Sequence, residues 1–177
     1  MSTLELFKSE KQKENTFCCD KVEYYWDSAM EVYCKSHNMK VSDLNPENMD
    51  ENEESLIMEY AGNHIAFFLI WILRNHFCDE EMFEEEEIEL LKDEKIDGTD
   101  FIMKYCDGKF YRMLMKTPIL DFVDNYYMNK YFQDYSTFIE NEIKGVVFGV
   151  RFSWEVYHKF APVLDRAYVE YERKALD

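Results

Sequence analysis

The chain has 177 residues, of which 47% are hydrophobic and 17% aromatic, enough apolar material for one packed domain. Its 37 acidic residues outnumber 20 Lys and Arg residues, which gives a formal net charge of −17 at pH 7. Such a charge repels nucleic-acid phosphates and anionic membrane surfaces and attracts basic proteins. The composition therefore argues against a nucleic-acid reader and a membrane-bound protein, and it predicts a basic protein partner.

The five cysteines are an odd number without a CxxC pair, which indicates reduced thiols and neither a disulfide framework nor a zinc ribbon. The N-terminus has no apolar signal-peptide core. The longest apolar run, Ile65 to Leu73, is far shorter than the roughly 20 residues of a spanning helix. These features predict a cytoplasmic protein, either a monomer or a homodimer.

The first half of the chain carries the strongest helical patterns. Residues 1–16 are charged and aperiodic, which predicts a flexible N-terminal arm before a single helical domain over residues 17–177. Apolar residues recur at helical spacing from Asp20 to His37, with Asp20 as the expected N-cap. The next helix, about Glu53 to Phe77, is apolar on every side in its second half. We therefore expect it to be the buried central element.

Shorter elements follow in the second half. Asp79 precedes a predicted helix from Glu80 to about Lys92, and another is predicted over 101–106. Thr117-Pro118 starts a helix that continues to Phe132. Residues 145–152 are rich in β-branched and aromatic residues, and Ser153 then caps a C-terminal helix to about Lys174, in which Pro162 introduces a kink or restart. The expected fold class is mostly α: a single-domain helical fold around a buried central helix, with at most one or two short β-strands near 145–152.

Small and polar residues interrupt the most apolar helix at Gly62, Asn63 and His64. A glycine there costs about 1 kcal/mol relative to alanine, and a buried Asn or His needs hydrogen-bond partners. One interpretation is a small-ligand or catalytic site composed of Glu59, Asn63, His64 and Asp165. The other is structural, with Gly62 permitting close helix approach and its neighbours fixing backbone or carboxylate groups. The structural interpretation is favoured because no second His or Cys lies at a recognised metal-ligand spacing.

Acidic residues cluster around 47–59 and 79–94. No phosphate loop, nucleophile elbow or Cys–His signature is present, so we expect neither an enzyme nor a cofactor nor a metal. Adjacent carboxylates repel one another, and a basic partner would relieve that repulsion. Exposed tyrosines would provide anchoring contacts for the same partner. The predicted partner-binding residues are therefore acidic side chains and two tyrosines: Asp50, Glu51, Glu53, Glu54, Glu80, Glu81, Glu84, Glu85, Glu86, Glu87, Tyr126 and Tyr127.

A family resemblance rests mainly on residues 59–71, which read EYAGNHIAFFLIW, with further matches at 20–26, 101–108 and 153–166. The pattern resembles a family of small acidic bacterial proteins of unknown function with an Ala-Gly-x-His-Ile helix start and a downstream Trp. Proteins of this kind are similar to the immunity proteins that accompany bacterial polymorphic toxins. The resemblance implies an immunity or antitoxin-type protein that neutralises a cognate toxin domain. An adaptor in a bacterial assembly is a further alternative.

Overall fold

The computed structural model describes residues 18–44, 49–79 and 82–175, so the predicted arm over 1–16 lies outside the described residues. Six helices account for most of the described chain. Five of them are α1 Trp26–Ser36, α2 Glu51–Arg74, α3 Glu85–Lys92, α4 Gly98–Cys106 and α6 Trp154–Ala175. The remaining helix, α5, is a continuous rod of four segments: Thr117–Phe122, Val123–Tyr131, Phe132–Phe138 and Ile139–Ile143. The prediction of a mostly α, single-domain fold is confirmed.

Two short strands pair antiparallel: β1 Cys18–Lys21 and β2 Lys109–Tyr111. The sequence predicted strands near 145–152, and this prediction is wrong: residues 145–152 form a loop with one turn. Four of the five apolar residues of this loop are buried or partly buried against the core without pairing as strands, whereas Val146 is exposed. Asp20 belongs to β1, so its assignment as a helix N-cap is wrong. Helix α1 begins only after a 3₁₀ turn over Val22–Tyr25.

Helix α2 is the core of the molecule, as predicted. Asp50 caps it, since one side-chain oxygen accepts a hydrogen bond from the Asn52 N–H at 2.7 Å, while the Asp50 N–H donates one to Glu53 Oε2 at 3.3 Å. All residues from Ala61 to Leu73 are buried. Helix α2 has 24 residues, and an 18-residue window within it has a mean hydropathy of 1.5, the length and composition of a membrane span, but 78% of this window is buried inside the fold. The core helix of a globular protein meets the same criteria.

Glycines allow close approach to α2 on two sides. A Cβ at Gly98 would lie 2.2 Å from Ile70 Cδ1 and 2.8 Å from Phe152 Cε2, so α4 can start against α2 only without a side chain there. A Cβ at Gly62 would lie 3.0 Å from Val22 Cγ2. Gly62 therefore makes room for the 3₁₀ turn before α1.

Helix α6 closes the core on the side of Trp71. Its start is capped as predicted, because Ser153 Oγ accepts a hydrogen bond from the Val156 N–H at 3.2 Å. The helix continues through Pro162, so the predicted restart does not occur. Phe160 and Leu164 are fully buried. All five cysteines have free thiols, as expected.

Candidate functional site

A buried carboxylate, Asp20, lies where β1, α2 and α5 meet. Its side chain is fixed by three donors: the phenols of Tyr127 at 2.8 Å and Tyr25 at 3.1 Å reach Oδ2, and the Lys21 N–H reaches Oδ1 at 2.9 Å. His64 Nε2 lies 3.7 Å from Oδ2. We call Asp20, Tyr25, His64 and Tyr127 the Asp20 cluster. Asp20 is the only acidic residue of the described chain that is buried, with 7% of its surface exposed.

His64 is only 1% exposed, and neither ring nitrogen has a hydrogen-bond partner among the described protein atoms. Its ring instead meets three aromatic rings nearly at right angles: Tyr25, Phe132 and Phe148, with centroids 4.3, 5.2 and 5.8 Å away. The backbone carbonyl of His64 accepts a hydrogen bond from the Tyr131 phenol. Packing and backbone contacts therefore hold His64 in place, since its polar atoms do not.

The two phenols of the Asp20 cluster are strong neutral donors. Burial raises the pKa of Tyr127 well above its usual value, and the Asp20 carboxylate raises it further. The same two causes raise the pKa of Tyr25. Both hydroxyls therefore keep their protons at physiological pH and stabilise the carboxylate.

The loop 144–153 is fastened to α2 by two side chains. Asn63 Nδ2 donates a hydrogen bond to the Val150 carbonyl at 2.9 Å, while Asn63 Oδ1 has no hydrogen-bond partner in the described part of the chain. Glu59 accepts hydrogen bonds from Arg151 Nε at 2.9 Å and from the Phe152 N–H at 3.1 Å. Burial raises the pKa of Glu59, and the Arg151 guanidinium opposes that shift.

The alternative site predicted from sequence is only partly assembled. Glu59, Asn63 and His64 follow one another along α2, but Asp165 accepts a hydrogen bond from Trp71 Nε1 at 2.8 Å, about two helical turns away from His64. The acid that faces His64 is Asp20. Sequence reasoning missed it because the same residue type commonly caps helices.

An open groove of about 410 Å³ lies between the N-terminal ends of α2 and α4. Two methionines, Met58 and Met103, supply apolar walls. The charged lining consists of five carboxylates and one guanidinium: Glu51, Glu54, Glu59, Asp97, Asp100 and Arg151. We call this the acidic groove. Burial and the neighbouring Asp97 raise the pKa of Asp100, and Arg151 opposes the shift.

The predicted acidic residues at the start of α2 differ in their contacts, since two of them cap the helix and two line the acidic groove. Asp50 and Glu53 form the cap, and Glu53 Oε1 also accepts a hydrogen bond from the Tyr33 phenol at 3.0 Å. Glu51 and Glu54 are exposed, line the acidic groove and have no ion pair within the described residues. Only these two of the four remain free to meet a partner.

The predicted residues near α3 form a separate patch. Glu84 and Glu87 cap α3, with the Glu84 N–H donating to Glu87 Oε2 at 3.0 Å. Glu85 and Glu86 are exposed, and Glu85 lines a shallow groove of about 540 Å³. Glu80 and Glu81 lie outside the described residues.

Tyr126 and Tyr127 are core residues. They are 7% and 6% exposed, and their hydroxyls donate hydrogen bonds to Asp134 Oδ2 at 3.0 Å and Asp20 Oδ2 at 2.8 Å. Adjacent side chains of an α-helix point about 100° apart, so one tyrosine of such a pair is expected to face solvent. The segment Val123–Tyr131 has the wide turns of a π-helix, and both tyrosines point inward there. They do not anchor an exposed binding face.

Within the described ranges, no group of three or more His, Cys, Asp or Glu side chains could hold a metal ion. The molecule is thus a mostly helical single domain with an enclosed polar cluster and acidic open surfaces. The sequence profile of the family described as "Domain of unknown function (DUF7832)" matches residues 18–148, and the chain belongs to this family. No curated protein and no solved structure matches the chain. The expected membership of a family of unknown function is confirmed at that level.

Proposed function

We propose that this protein is an immunity or antitoxin-type protein that acts in the cytoplasm by binding a basic, cognate toxin domain and blocking it. The observation that carries the proposal is the acidic groove. Its five carboxylates face a single guanidinium, that of Arg151. The net charge of −17 and the resemblance to immunity proteins support the same function.

The acidic groove suits a Lys- or Arg-bearing surface for two physical reasons. Clustered carboxylates repel one another, so a basic partner gains both attraction and relief of repulsion when it docks. Met58 and Met103 add flexible apolar side chains that adapt to the stems of long basic residues. The groove therefore offers charge complementarity together with apolar contact.

The patch at α3 extends the acidic surface. Its groove combines Glu85 and Glu89 with the apolar side chains of Phe83 and Ile88. The rings of Phe83 and Phe101 lie 5.4 Å apart, which joins α3 to α4.

The test uses the purified protein and the toxin domain encoded by the neighbouring gene. The variant Glu51→Gln, Glu54→Gln, Asp100→Asn removes three groove charges and leaves the capping residues intact. We expect association at low salt to slow by about tenfold, and the difference to shrink as salt rises. The matched control is Glu140→Gln, Glu142→Gln, Glu170→Gln, which removes three exposed charges outside the groove. It should associate within about twofold of the unchanged protein.

Two results would overturn the proposal: no complex with the neighbouring toxin domain at micromolar concentration, or groove and control variants that slow association equally. Toxin activity is measured in the same mixtures. A complex that leaves the toxin active would show that the protein is an adaptor and not an inhibitor.

A further inference from the structure

The loop 144–153 covers the Asp20 cluster with a phenylalanine in an unfavourable backbone conformation. Phe148 has φ of 61°, in the left-handed region that a bulky side chain adopts only where surrounding contacts impose it. Its ring lies 5.5 Å from that of Tyr25, 5.8 Å from that of Phe132 and 5.8 Å from that of His64. Phe148 therefore fills a space whose walls are two aromatic rings and an imidazole.

Polar atoms without partners lie on His64, whose ring contacts that of Phe148, and on the adjacent Asn63, which binds the loop at Val150. Both ring nitrogens of His64 and Oδ1 of Asn63 are buried without a hydrogen bond in the described chain, and each residue is 1% exposed. Buried polar groups in native proteins are nearly always paired, so three orphaned atoms on consecutive residues indicate a group that they can bind. The Asp20 carboxylate, 3.7 Å from His64 Nε2, lies at the bottom of the same cluster.

The chemistry of these atoms selects a cation. Asn63 Oδ1 and the Asp20 carboxylate accept hydrogen bonds, and the faces of aromatic rings attract positive charge. A guanidinium group is planar, stacks on such rings and donates several hydrogen bonds. We propose that loop 144–153 is a lid over a binding site for an organic cation, a guanidinium or ammonium group, that takes the place of the Phe148 ring above Asn63 and His64.

Few polar contacts hold this lid closed. They are the Asn63–Val150 hydrogen bond and the contacts of Glu59 with Arg151 and the Phe152 N–H. The Arg151 side chain is 69% exposed, so solvent weakens its ion pair with Glu59. The first end of the loop can act as a hinge, because Lys144 has φ of 59° and Gly145 follows it, and Gly149 adds a flexible position in the middle of the loop. Breaking the Arg151 contact should therefore raise the population of the open lid.

The lid shares Glu59 and Arg151 with the acidic groove, but the cation site needs no toxin, and histidine NMR signals can test it directly. Butylguanidinium and butylammonium are titrated into the full chain, with uncharged butylurea as the shape-matched control. We expect the cations to shift the His64 ring signal and butylurea to leave it in place. The exposed His37, His76 and His158 report non-specific attraction to the acidic surface. Equal shifts at those three histidines with none at His64 would overturn the proposal.

Lid variants supply the second arm. Arg151→Gln removes one closing contact and should tighten the apparent Kd for butylguanidinium by about two- to fivefold, because more of the protein is binding-competent. Phe148→Gly empties the space and suits the left-handed backbone, so it should tighten binding at least as much. Val146→Ala changes an exposed residue of the same loop and should leave the Kd unchanged. Identical affinities in all three variants would refute the lid.

A third arm distinguishes the two sources of the cation. The tripeptide acetyl-Gly-Arg-Gly-amide is compared with butylguanidinium under the same conditions. Tighter binding of the tripeptide assigns the site to an arginine of a protein partner, and tighter binding of butylguanidinium assigns it to a free small molecule. Asp20→Asn should weaken both by about tenfold, since it removes the buried negative charge. An unchanged affinity in Asp20→Asn would remove the carboxylate from the site.

Discussion

Replacing Tyr127 by phenylalanine removes one oxygen atom from the Asp20 cluster and leaves the ring in its contacts with Phe68 and Phe110. The lost interaction is the 2.8 Å hydrogen bond to Asp20 Oδ2. Hydrogen bonds to charged groups contribute about 1.5–3 kcal/mol, and both partners here are buried. We expect Tyr127→Phe to lower the free energy of unfolding by about 2–3 kcal/mol, which corresponds to a Tm lower by about 4–12 °C in a domain of this size.

The assay is urea unfolding followed by circular dichroism, with the adjacent Tyr126→Phe as control. Tyr126 donates to Asp134, whose side chain is 22% exposed and also receives a hydrogen bond from Lys130 at 2.9 Å. Losing that donor should cost only about 0.5–1 kcal/mol, because water and Lys130 replace it. If Tyr127→Phe is no more destabilising than Tyr126→Phe, the Asp20 cluster does not contribute as argued.

Three further predictions use the same unfolding measurement. Burial raises the pKa of Glu59 in the folded chain, so the contribution of this residue to stability is fully present below the unfolded pKa and is lost as pH rises through the folded value. As pH rises above about 4, the protein should therefore lose stability relative to Glu59→Gln, and a constant difference would contradict this. Gly98→Ala should lower the free energy of unfolding by about 1–3 kcal/mol, because the new Cβ would lie 2.2 Å from Ile70 Cδ1. An unchanged free energy of unfolding would show that α4 can shift. Asp165→Ala should lower the free energy of unfolding by about 1–2 kcal/mol, because it leaves the buried Trp71 N–H unpaired. Asp165→Asn keeps an acceptor and should lower it by less than about 0.5 kcal/mol. Equal losses in the two variants would count against the Trp71–Asp165 hydrogen bond.

Local signals predicted the helices well. The start of α2 was predicted at about Glu53 and lies at Glu51, and the spacing of Asp50 and Glu53, which is that of a reciprocal cap, was not used to place it. Ser153 marks the start of α6. The apolar run of α2 revealed its burial because a helix without a polar face must be covered on several sides.

Nonlocal pairing explains what the sequence did not reveal. Asp20 is bound by Tyr127, which is 107 residues later in the chain, and no local pattern connects the two. Strand β2 has only three residues, too few for a period-two pattern. Residues 145–152 carry strand-type side chains because the loop packs on the core, and burial selects the same residues as strand formation does.

The acidic groove was predictable in part. Glu51 and Glu54 were recognised from their cluster, and both line the groove. Asp97 and Asp100 join them from α4, which is brought alongside α2 by the missing side chain of Gly98. That approach depends on tertiary packing, so charge clustering along the sequence could not identify the complete lining.

The cover of α2 comes from chain segments that are made much later. The rings of Phe160 and Tyr168 in α6 lie against those of Phe67 and Trp71 in α2. Roughly 100 residues separate the ends of these two helices, and synthesis at 5–20 residues per second needs roughly 5–20 s to add them. Throughout that interval the nascent chain presents an apolar helix as hydrophobic as a membrane span. We therefore expect this fold to depend on chaperones while α6 is being synthesised, and overexpression that outpaces them should yield insoluble protein.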